Sequence, residues 1–176
     1  IGQTIDHDTL GGAKTHSSIS GIADYHEKDD LSSIERIRYC IENINYSDKN
    51  TFQKNKIYNE PLLPCEDLNS LFNPNKIGQY DMNEIISRIV DDSVFHEYKK
   101  NYGKTILCGH ASIGGIKLGI IANQKINTKT ESGELQLGGV FYSDSADKAA
   151  RFVMNCNQDK IPLLFIHDVN GFMIGK

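Results

Sequence analysis

The stretch that decides the fold is Ser143–Lys176, SDSADKAARFVMNCNQDKIPLLFIHDVNGFMIGK. It predicts a helix over Ser143–Gln158, which Pro162 prevents from continuing. The unbroken apolar run Leu163–Ile166 is typical of a strand covered on both faces, and the glycine-bearing loop Gly171–Gly175 follows soon after it. Because ligands of open α/β folds bind just past the carboxyl ends of the strands, we expect the functional site at this loop. The chain stops one residue later, so we expect it to be a piece of a larger protein.

The segment before this helix predicts a β-hairpin. Ile106–Ile113 and Ile116–Ala122 are mostly apolar, and Gly114-Gly115 between them suits a tight two-residue turn. The polar stretch Asn123–Gly139 predicts an exposed loop or a small hairpin. The second strand, the helix that follows and the final strand together predict a parallel crossover. We therefore predict an α/β fold.

One side of the predicted helix carries small or apolar residues, and we expect that side to pack on the sheet. Its residues are Ala146, Ala149, Ala150, Val153 and Met154. Ser143 or Ser145 is the predicted N-cap. Lys148 and Arg151 lie one turn apart, which would allow phosphate binding, but a solvated helix face is the more ordinary interpretation, and we adopt it.

Two further segments have helical periodicity. In Asp29–Ile44 an apolar stripe recurs every three or four residues, and we expect its packing partner to lie upstream of Ile1. In Asp81–Lys100 the pair Asp91-Asp92 predicts an interruption, after which Val94–Lys100 predicts a second short helix. The stripe of the first helix consists of Leu31, Ile34, Ile37, Ile41 and Ile44.

The remaining segments predict little regular structure. Asn45–Gln79 is rich in Asn and Lys and holds three prolines, a composition that favours turns and indicates a linker. Within it, Glu66–Phe72 predicts one short helical turn. Ile1–Ser20 predicts irregular chain with a strand piece, in which the pair Gly11-Gly12 marks a turn.

Composition narrows the function classes. The net charge of −4 and the absence of a basic run argue against a nucleic-acid partner, and the apolar run Ile161–Ile166 is too short to cross a bilayer. The four cysteines form no Cys-x-x-Cys pair and the six histidines show no ligand spacing, so we expect no metal. Cys108 and Cys156 are predicted core residues, and this cysteine usage suits a reducing compartment.

Two groups after the final strand are candidates for chemistry. His167 and Asp168 have the types needed for acid–base work, but adjacent strand residues point to opposite faces, so we interpret the pair as structural. The backbone N–H groups of Gly171–Gly175 could stabilise a developing oxyanion, with no ionising side chain involved. On spacing alone, a plain turn remains the alternative.

At this point the sequence resembles a known family. The whole chain is similar to the carboxyltransferase (β) subunit of biotin-dependent acyl-CoA carboxylases, in particular the methylcrotonyl-CoA carboxylase branch, with propionyl-, geranyl- and glutaconyl-CoA relatives near. The matching stretches are Leu10–Ala13 with His16, Ser20–Asp24, Tyr80-Asp81, Ile85–Asp91, Tyr102–Thr105, Gly119–Asn123, Ser143–Phe152 and Ile161–Gly175. They span most of the chain in the family's order.

The resemblance implies a crotonase-like (ClpP/crotonase) fold, partial here, across the junction of two such domains. Residues 1–50 would be the tail of the N-terminal, acyl-CoA-binding domain, and residues 51–79 the linker. Residues 80–176 would be the first part of the C-terminal, carboxybiotin-binding domain. The family's glycine pairs that serve as the main oxyanion donors would lie outside this chain.

The implied reaction moves a carboxyl group from carboxybiotin to an acyl-CoA through an enolate held by backbone N–H groups. Gly171, Phe172 and Gly175 match the loop that borders the carboxybiotin pocket, so they are the predicted catalytic and cofactor-binding residues. The biotin would be carried on a separate subunit or domain. Expected partners are a biotin carboxylase, a biotin carrier subunit and neighbouring carboxyltransferase subunits in a homo-oligomer, in the cytoplasm or the mitochondrial matrix. We expect residues 1–176 alone to be inactive.

Two departures and three alternatives accompany this resemblance. Lys125–Gly139 is longer than the Asn-Gly connection usual in the methylcrotonyl branch, and His167 replaces the usual Gln or similar residue. The alternatives are a biotin-dependent decarboxylase subunit of glutaconyl-CoA type, a non-catalytic interface fragment, and a single-domain crotonase hydratase. The Asn- and Pro-rich middle argues against the hydratase.

Overall fold

The computed structural model describes Gly2 and residues 4–43, 57–71 and 78–174. Six α-helices lie in these ranges: α1 (His7–Gly11), α2 (Ala13–Ser18), α3 (Asp30–Asn43), α4 (Leu68–Leu71), α5 (Met82–Ile86) and α6 (Ser143–Gln158). The strands are β1 (His96–Tyr98), β2 (Ile106–Ile113), β3 (Ile116–Asn123), β4 (Thr128–Lys129), β5 (Leu135–Gln136), β6 (Val140–Phe141), β7 (Leu163–Ile166) and β8 (Gly171–Phe172).

The main sheet has the order β1-β2-β3-β7. β2 and β3 form the predicted antiparallel hairpin, and β7 lies parallel to β3 with Gly119 opposite Leu163. The parallel crossover through α6 is therefore confirmed. At the hairpin turn Gly114 and Gly115 have φ of +58° and +77°, and each donates its N–H to the Asp91 carboxylate at 2.8 Å. Glycine adopts these positive φ values without the steric cost of a Cβ.

Each face of the main sheet carries its own apolar core. One core lies beneath α5 and consists of Met82, Ile86, Val90, Leu107, Ala111, Ile120 and Ala122. The other lies beneath α6 and consists of Tyr98, Ile106, Cys108, Ile121, Phe152 and Cys156. The prediction that Cys108 and Cys156 are core residues is confirmed.

The buried face of α6 differs from the predicted one. Ser145, Lys148, Phe152 and Cys156 face the sheet, while Met154 is 69% exposed. Of the predicted inner face, Ala149 and Val153 do pack against the core, whereas Ala146, Ala150 and Met154 are exposed. The prediction of a solvated Lys148 was wrong. Close packing comes instead from Gly119 on β3, where a Cβ would lie 2.8 Å from Cys156 Sγ. Tyr142 is the N-cap residue, and its N–H donates to Ser145 Oγ at 2.8 Å.

The segment Val94–Lys100 is a strand, not the predicted second helix. Its central residues form β1 and pair with β2, with His96 opposite His110 and Tyr98 opposite Cys108. This pairing satisfies backbone groups along an existing sheet, whereas a helix of two turns would gain little by itself. The chain does turn away from helical geometry at Asp92, whose φ is 55°, but α5 already ends at Ile86, earlier than predicted.

The N-terminal region is more helical than predicted. Instead of a strand piece, α1 and α2 form, joined at Gly12. The carboxylate of Asp6 accepts the Thr9 N–H at 2.9 Å and so begins α1. At the start of α3, Asp29 accepts the Ser32 N–H at 2.7 Å. The described residues of the α3 stripe are exposed: Leu31, Ile34, Ile37 and Ile41.

The linker prediction falls largely outside the described residues. Within the described part, Cys65–Asp67 forms a 3₁₀ turn that continues into α4, close to the predicted helical turn. No helix in the described ranges is both long and apolar enough to cross a membrane.

The final strand is not covered on both faces as predicted. In the sheet formed by the described residues, β7 lies at the edge beside β3, and Phe165 is 51% exposed. The carboxyl ends of the parallel strands β3 and β7 nevertheless meet at one edge, where the predicted site lies.

Candidate functional site

The predicted site residues Gly171 and Phe172 form β8, which pairs with β6 in parallel. On either side of β8, the Asn170 N–H donates to Gly139 O at 2.7 Å and the Met173 N–H donates to Phe141 O at 2.8 Å. Gly175, the third predicted residue, lies outside the described residues. The structure thus holds the Gly171–Phe172 segment in place by backbone pairing.

The outer side of the Gly171–Phe172 segment is open. A Cβ built on Gly171 would meet no heavy atom within 4 Å, so another molecule can approach this backbone closely. The Phe172 side chain is 77% exposed and stacks on Phe141 with ring centroids 5.5 Å apart. An exposed aromatic ring beside open backbone can contact a planar ligand on its free face.

A network of polar side chains fixes the carboxyl ends of β3 and β7. Lys125, two residues past β3, places its Nζ 3.0 Å from Asp168 Oδ1 and 3.0 Å from Asn170 Oδ1. The same Nζ lies 3.3 Å from the Asp168 carbonyl oxygen. These contacts tie the end of one parallel strand to the loop that follows the other.

Asp168 uses both of its carboxylate oxygens in this network. Oδ2 accepts the hydroxyl hydrogen of Tyr80 at 2.7 Å, and Oδ1 is paired with Lys125. The hydrogen bond from Tyr80 and the ion pair with Lys125 hold the pKa of Asp168 below its ordinary value. Burial and the Asp168 hydrogen bond raise the pKa of Tyr80. Asp168 therefore stays ionised at neutral pH and serves as a tether, in keeping with its interpretation as structural.

The segment before β6 packs closely on this network through Gly138 and Gly139. A Cβ on Gly138 would lie 2.1 Å from Lys125 O, so only glycine fits that approach. Gly139 donates its N–H to Gln124 O at 2.7 Å, and the Gln124 side chain accepts the Met82 N–H at 3.1 Å. The loop that carries β4 and β5 is thereby joined to both α5 and β3.

Periodicity and motif spacing did not indicate Tyr80 and Lys125 as members of the site. Tyr80 lies 88 residues from Asp168, and Lys125 lies 45 residues from Asn170. Neither belongs to a periodic pattern, and Lys125 sits in a polar stretch that resembles an ordinary loop. Only the position of Lys125 just after a predicted strand, at the expected edge of a parallel pair, pointed toward this place.

A second polar region lies near α3 and β1. A cleft of about 550 Å³ between α3 and β1 is lined in part by Asp24, Arg36, Glu97 and Lys100. Its charged groups are largely paired: Arg36 Nε lies 2.7 Å from Glu27 Oε1, and Lys99 is paired with Asp24. Such internal pairing leaves little charge to attract a ligand. Among the residues that the structure describes, no three His, Cys, Asp or Glu side chains are grouped to hold a metal ion.

The comparison with protein families bears on the whole chain. Residues 1–176 match the family model described as the carboxyl transferase domain. The chain belongs to the carboxyl transferase domain family. Its sequence is 36% identical to the methylcrotonoyl-CoA carboxylase beta chain of Arabidopsis thaliana over 99% of this chain and 28% of that protein. It is also 36% identical to the methylmalonyl-CoA decarboxylase subunit alpha of Propionigenium modestum, over 99% and 32%.

Solved carboxyltransferases share the fold. A transcarboxylase 12S structure, described with methylmalonyl-coenzyme A and methylmalonic acid bound and as a hexamer, superimposes with a TM-score of 0.80 at 29% identity. It matches 99% of this chain and 32% of its own. The beta subunit of a geranyl-CoA carboxylase from P. aeruginosa gives a TM-score of 0.58 at 30% identity, over 99% and 31%. The predicted α/β, crotonase-like fold is confirmed.

The carboxyl transferase match covers only part of each relative. The chain spans about 30% of the length of these proteins, from 28% of the Arabidopsis thaliana chain to 32% of the Propionigenium modestum subunit. The Arabidopsis thaliana relative and that of Drosophila melanogaster are named as mitochondrial.

Proposed function

We propose that the protein containing this chain is the carboxyltransferase component of a biotin-dependent acyl-CoA carboxylase. Carboxybiotin, when bound, supplies the carboxyl group that an acyl-CoA receives. One observation carries the assignment within the family: the parallel crossover β3–α6–β7 places the open Gly171–Phe172 backbone just past the carboxyl ends of the strands. Ligands bind at that place in open α/β sheets.

The role proposed for this chain is to border the carboxybiotin pocket with backbone N–H groups that face a negatively charged oxygen, beside the main donors, which would lie outside this chain. An enolate of an acyl-CoA carries such an oxygen, and fixed N–H donors stabilise it without a proton transfer. Lys125 and Asp168, the ionisable pair beside the loop, are engaged with each other. The assignment of Gly171, Phe172 and Gly175 to the border of the carboxybiotin pocket is part of this proposal.

The proposal includes the domain organisation and the partners. Residues 1–50 would end an acyl-CoA-binding domain, 51–79 would link the two domains, and 80–176 would begin a carboxybiotin-binding domain. The protein would act in a homo-oligomer with a biotin carboxylase and a biotin carrier, in the cytoplasm or the mitochondrial matrix. Support comes from the methylcrotonoyl-CoA carboxylase beta chains among its relatives.

The test is carboxyl transfer by the full-length protein. It would be purified with its biotin carboxylase and biotin carrier, and supplied with ATP, ¹⁴C-bicarbonate and short, branched or terpenoid acyl-CoA thioesters. We expect acid-stable label in at least one acyl-CoA, and its loss when avidin blocks biotin. Absence of label with every thioester, from a complex whose carrier does become carboxylated, would refute the proposal.

A decarboxylase subunit is the second candidate function. The methylmalonyl-CoA decarboxylase subunit alpha matches this chain as well as the carboxylase chain does, at 36% identity. The same protein would then transfer a carboxyl group from a carboxyacyl-CoA, such as methylmalonyl-CoA, to biotin without ATP. Measuring both directions with one preparation separates the two functions.

A further inference from the structure

We propose that Lys125 is a positioning residue that holds the Gly171–Phe172 segment in its open, ligand-accessible position. This inference rests on the proposed function, since it concerns the loop assigned to the carboxybiotin pocket. Lys125 lies in the Lys125–Gly139 loop, which the sequence singled out as longer than the usual connection. The longer loop would then supply Lys125 and Gly139, which together hold the residues just before Gly171 and are called the clamp below.

The three N–H groups of the Lys125 ammonium group all have acceptors in the loop before Gly171. Nζ lies 3.0 Å from Asp168 Oδ1, 3.0 Å from Asn170 Oδ1 and 3.3 Å from the Asp168 carbonyl oxygen. An ammonium group has three N–H donors, so no donor is left for a substrate. All three acceptors belong to the residues just before Gly171, which makes positioning the role that the geometry allows.

Burial strengthens these contacts. The Lys125 side chain is only 12% exposed and that of Asp168 is 48% exposed, so salt screens this ion pair less than it would screen a fully exposed pair. Tyr80 holds the other carboxylate oxygen of Asp168 at 2.7 Å. Lys125, which follows β3, and Tyr80, which precedes α5, therefore both bind Asp168 in the loop before Gly171.

The backbone of the Lys125–Gly139 loop completes the clamp. Gly139, at φ +75°, approaches so closely that a Cβ there would lie 3.0 Å from Lys125 Nζ and 3.0 Å from Asn170 Nδ2. Gly139 O then accepts the Asn170 N–H at 2.7 Å. Lys125 and Gly139 thus hold Asn170 through its side chain and its backbone, one residue before Gly171.

The experiment compares Lys125→Met with the matched control Lys129→Met in the full-length protein, assembled with its biotin carboxylase and carrier. Lys129 lies in the same loop and is exposed. Because misplacing a group by about 1 Å can cost about 10²-fold in rate, we expect Lys125→Met to lower kcat roughly 10- to 100-fold. The acyl-CoA KM should change less than about twofold, since the proposed function assigns acyl-CoA binding to a different domain from this loop. Lys129→Met should match the wild type, and Lys125→Arg should recover part of the lost kcat.

Hydrogen exchange gives a second readout that does not depend on activity. In Lys125→Met the amides of residues 169–174 should exchange faster than in the wild type, while those of residues 106–123 stay unchanged. An unchanged kcat or unchanged exchange in residues 169–174 would overturn the proposal. So would loss of assembly in both Lys125→Met and Lys125→Gln, because the lysine would then hold the whole fold. If the wild type transfers no carboxyl group, the proposed function fails, while the exchange data still test the clamp.

Discussion

The ammonium group of Lys148 lies 3.2 Å from Glu97 Oε1, between α6 and the sheet. It also donates to Ile106 O at 3.0 Å, and the Lys148 side chain is fully buried. Burial lowers the pKa of Lys148 and raises the pKa of Glu97. Both shifts favour the neutral forms. The free energy needed to remove the two charges from water therefore exceeds the free energy gained from their attraction.

Breaking this buried pair should destabilise the fold, whereas replacing both partners should not. We expect Lys148→Ala or Glu97→Ala to lower the free energy of unfolding by about 3–5 kcal/mol, because each leaves one charge buried and unpaired. The double variant Lys148→Met/Glu97→Met should lie within about 1 kcal/mol of the wild type or exceed it. Urea unfolding of the full-length protein, followed by circular dichroism, measures these differences. If the double variant lost as much free energy of unfolding as the two single variants together, this account would be contradicted.

Stability should fall as the pH drops from about 6.5 to about 4, because of His110. Burial lowers the pKa of His110 to about 4 from an ordinary 6.5. Between these values the unfolded chain binds a proton that the folded protein does not, so protonation favours unfolding. The loss should approach about 3 kcal/mol at the acid end. Urea midpoints at pH 7 and pH 4.5 measure it.

The control for His110 is a histidine outside the core. His110→Gln should remove this part of the pH dependence, while His167→Gln, at an exposed position, should leave it intact. His110 packs against Phe152 with ring centroids 5.0 Å apart, so His110→Gln is also expected to lower stability at pH 7. The same pH dependence in wild type and His110→Gln would show that other groups cause the acid loss.

The cysteines should differ widely in reactivity toward iodoacetamide. Burial raises the pKa of the Cys108 and Cys156 thiols to about 12 each, and the thiolate is the reactive form. Cys65 is exposed. At pH 8 in the folded protein we expect Cys65 to be labelled at least about 100-fold faster than the two buried thiols, as measured by peptide mass spectrometry. As the control, all these cysteines should be labelled at similar rates in about 8 M urea, where the protein is unfolded. Fast labelling of Cys108 without urea would contradict its burial.

The sequence predicted those elements whose patterns are local. The hairpin of β2 and β3, the helix α6 and the strand β7 each follow from periodicity, a glycine pair or a proline within one short segment. By contrast, β1 is three residues long and exists through pairing with β2. The helical spacing within this segment therefore predicted the wrong structure, because pairing with a strand outside the segment determines the conformation of β1.

The buried charges were beyond prediction for the same reason. Lys148 looked like a surface lysine because Glu97, the residue that permits its burial, lies 51 residues away. Lys125 meets Asn170 across 45 residues. The position of the candidate site at the end of β7 followed from the strand and its glycines, but the side chains that hold it come from distant segments.

Gly138 should tolerate no side chain, because the Lys125–Gly139 loop folds back onto its own beginning. A Cβ there would lie 2.1 Å from Lys125 O and 2.3 Å from Lys125 C, both of them backbone atoms. We expect Gly138→Ala to lower the free energy of unfolding by about 1–3 kcal/mol, the usual cost of overpacking, and to shift Lys125 away from Asp168. The matched control is Gly11→Ala, where the nearest atom lies 3.6 Å away and the change should stay within about 0.5 kcal/mol. Urea midpoints of the full-length variants decide between the two expectations. Equal midpoints for Gly138→Ala and Gly11→Ala would mean that the loop does not pack against Lys125 as described.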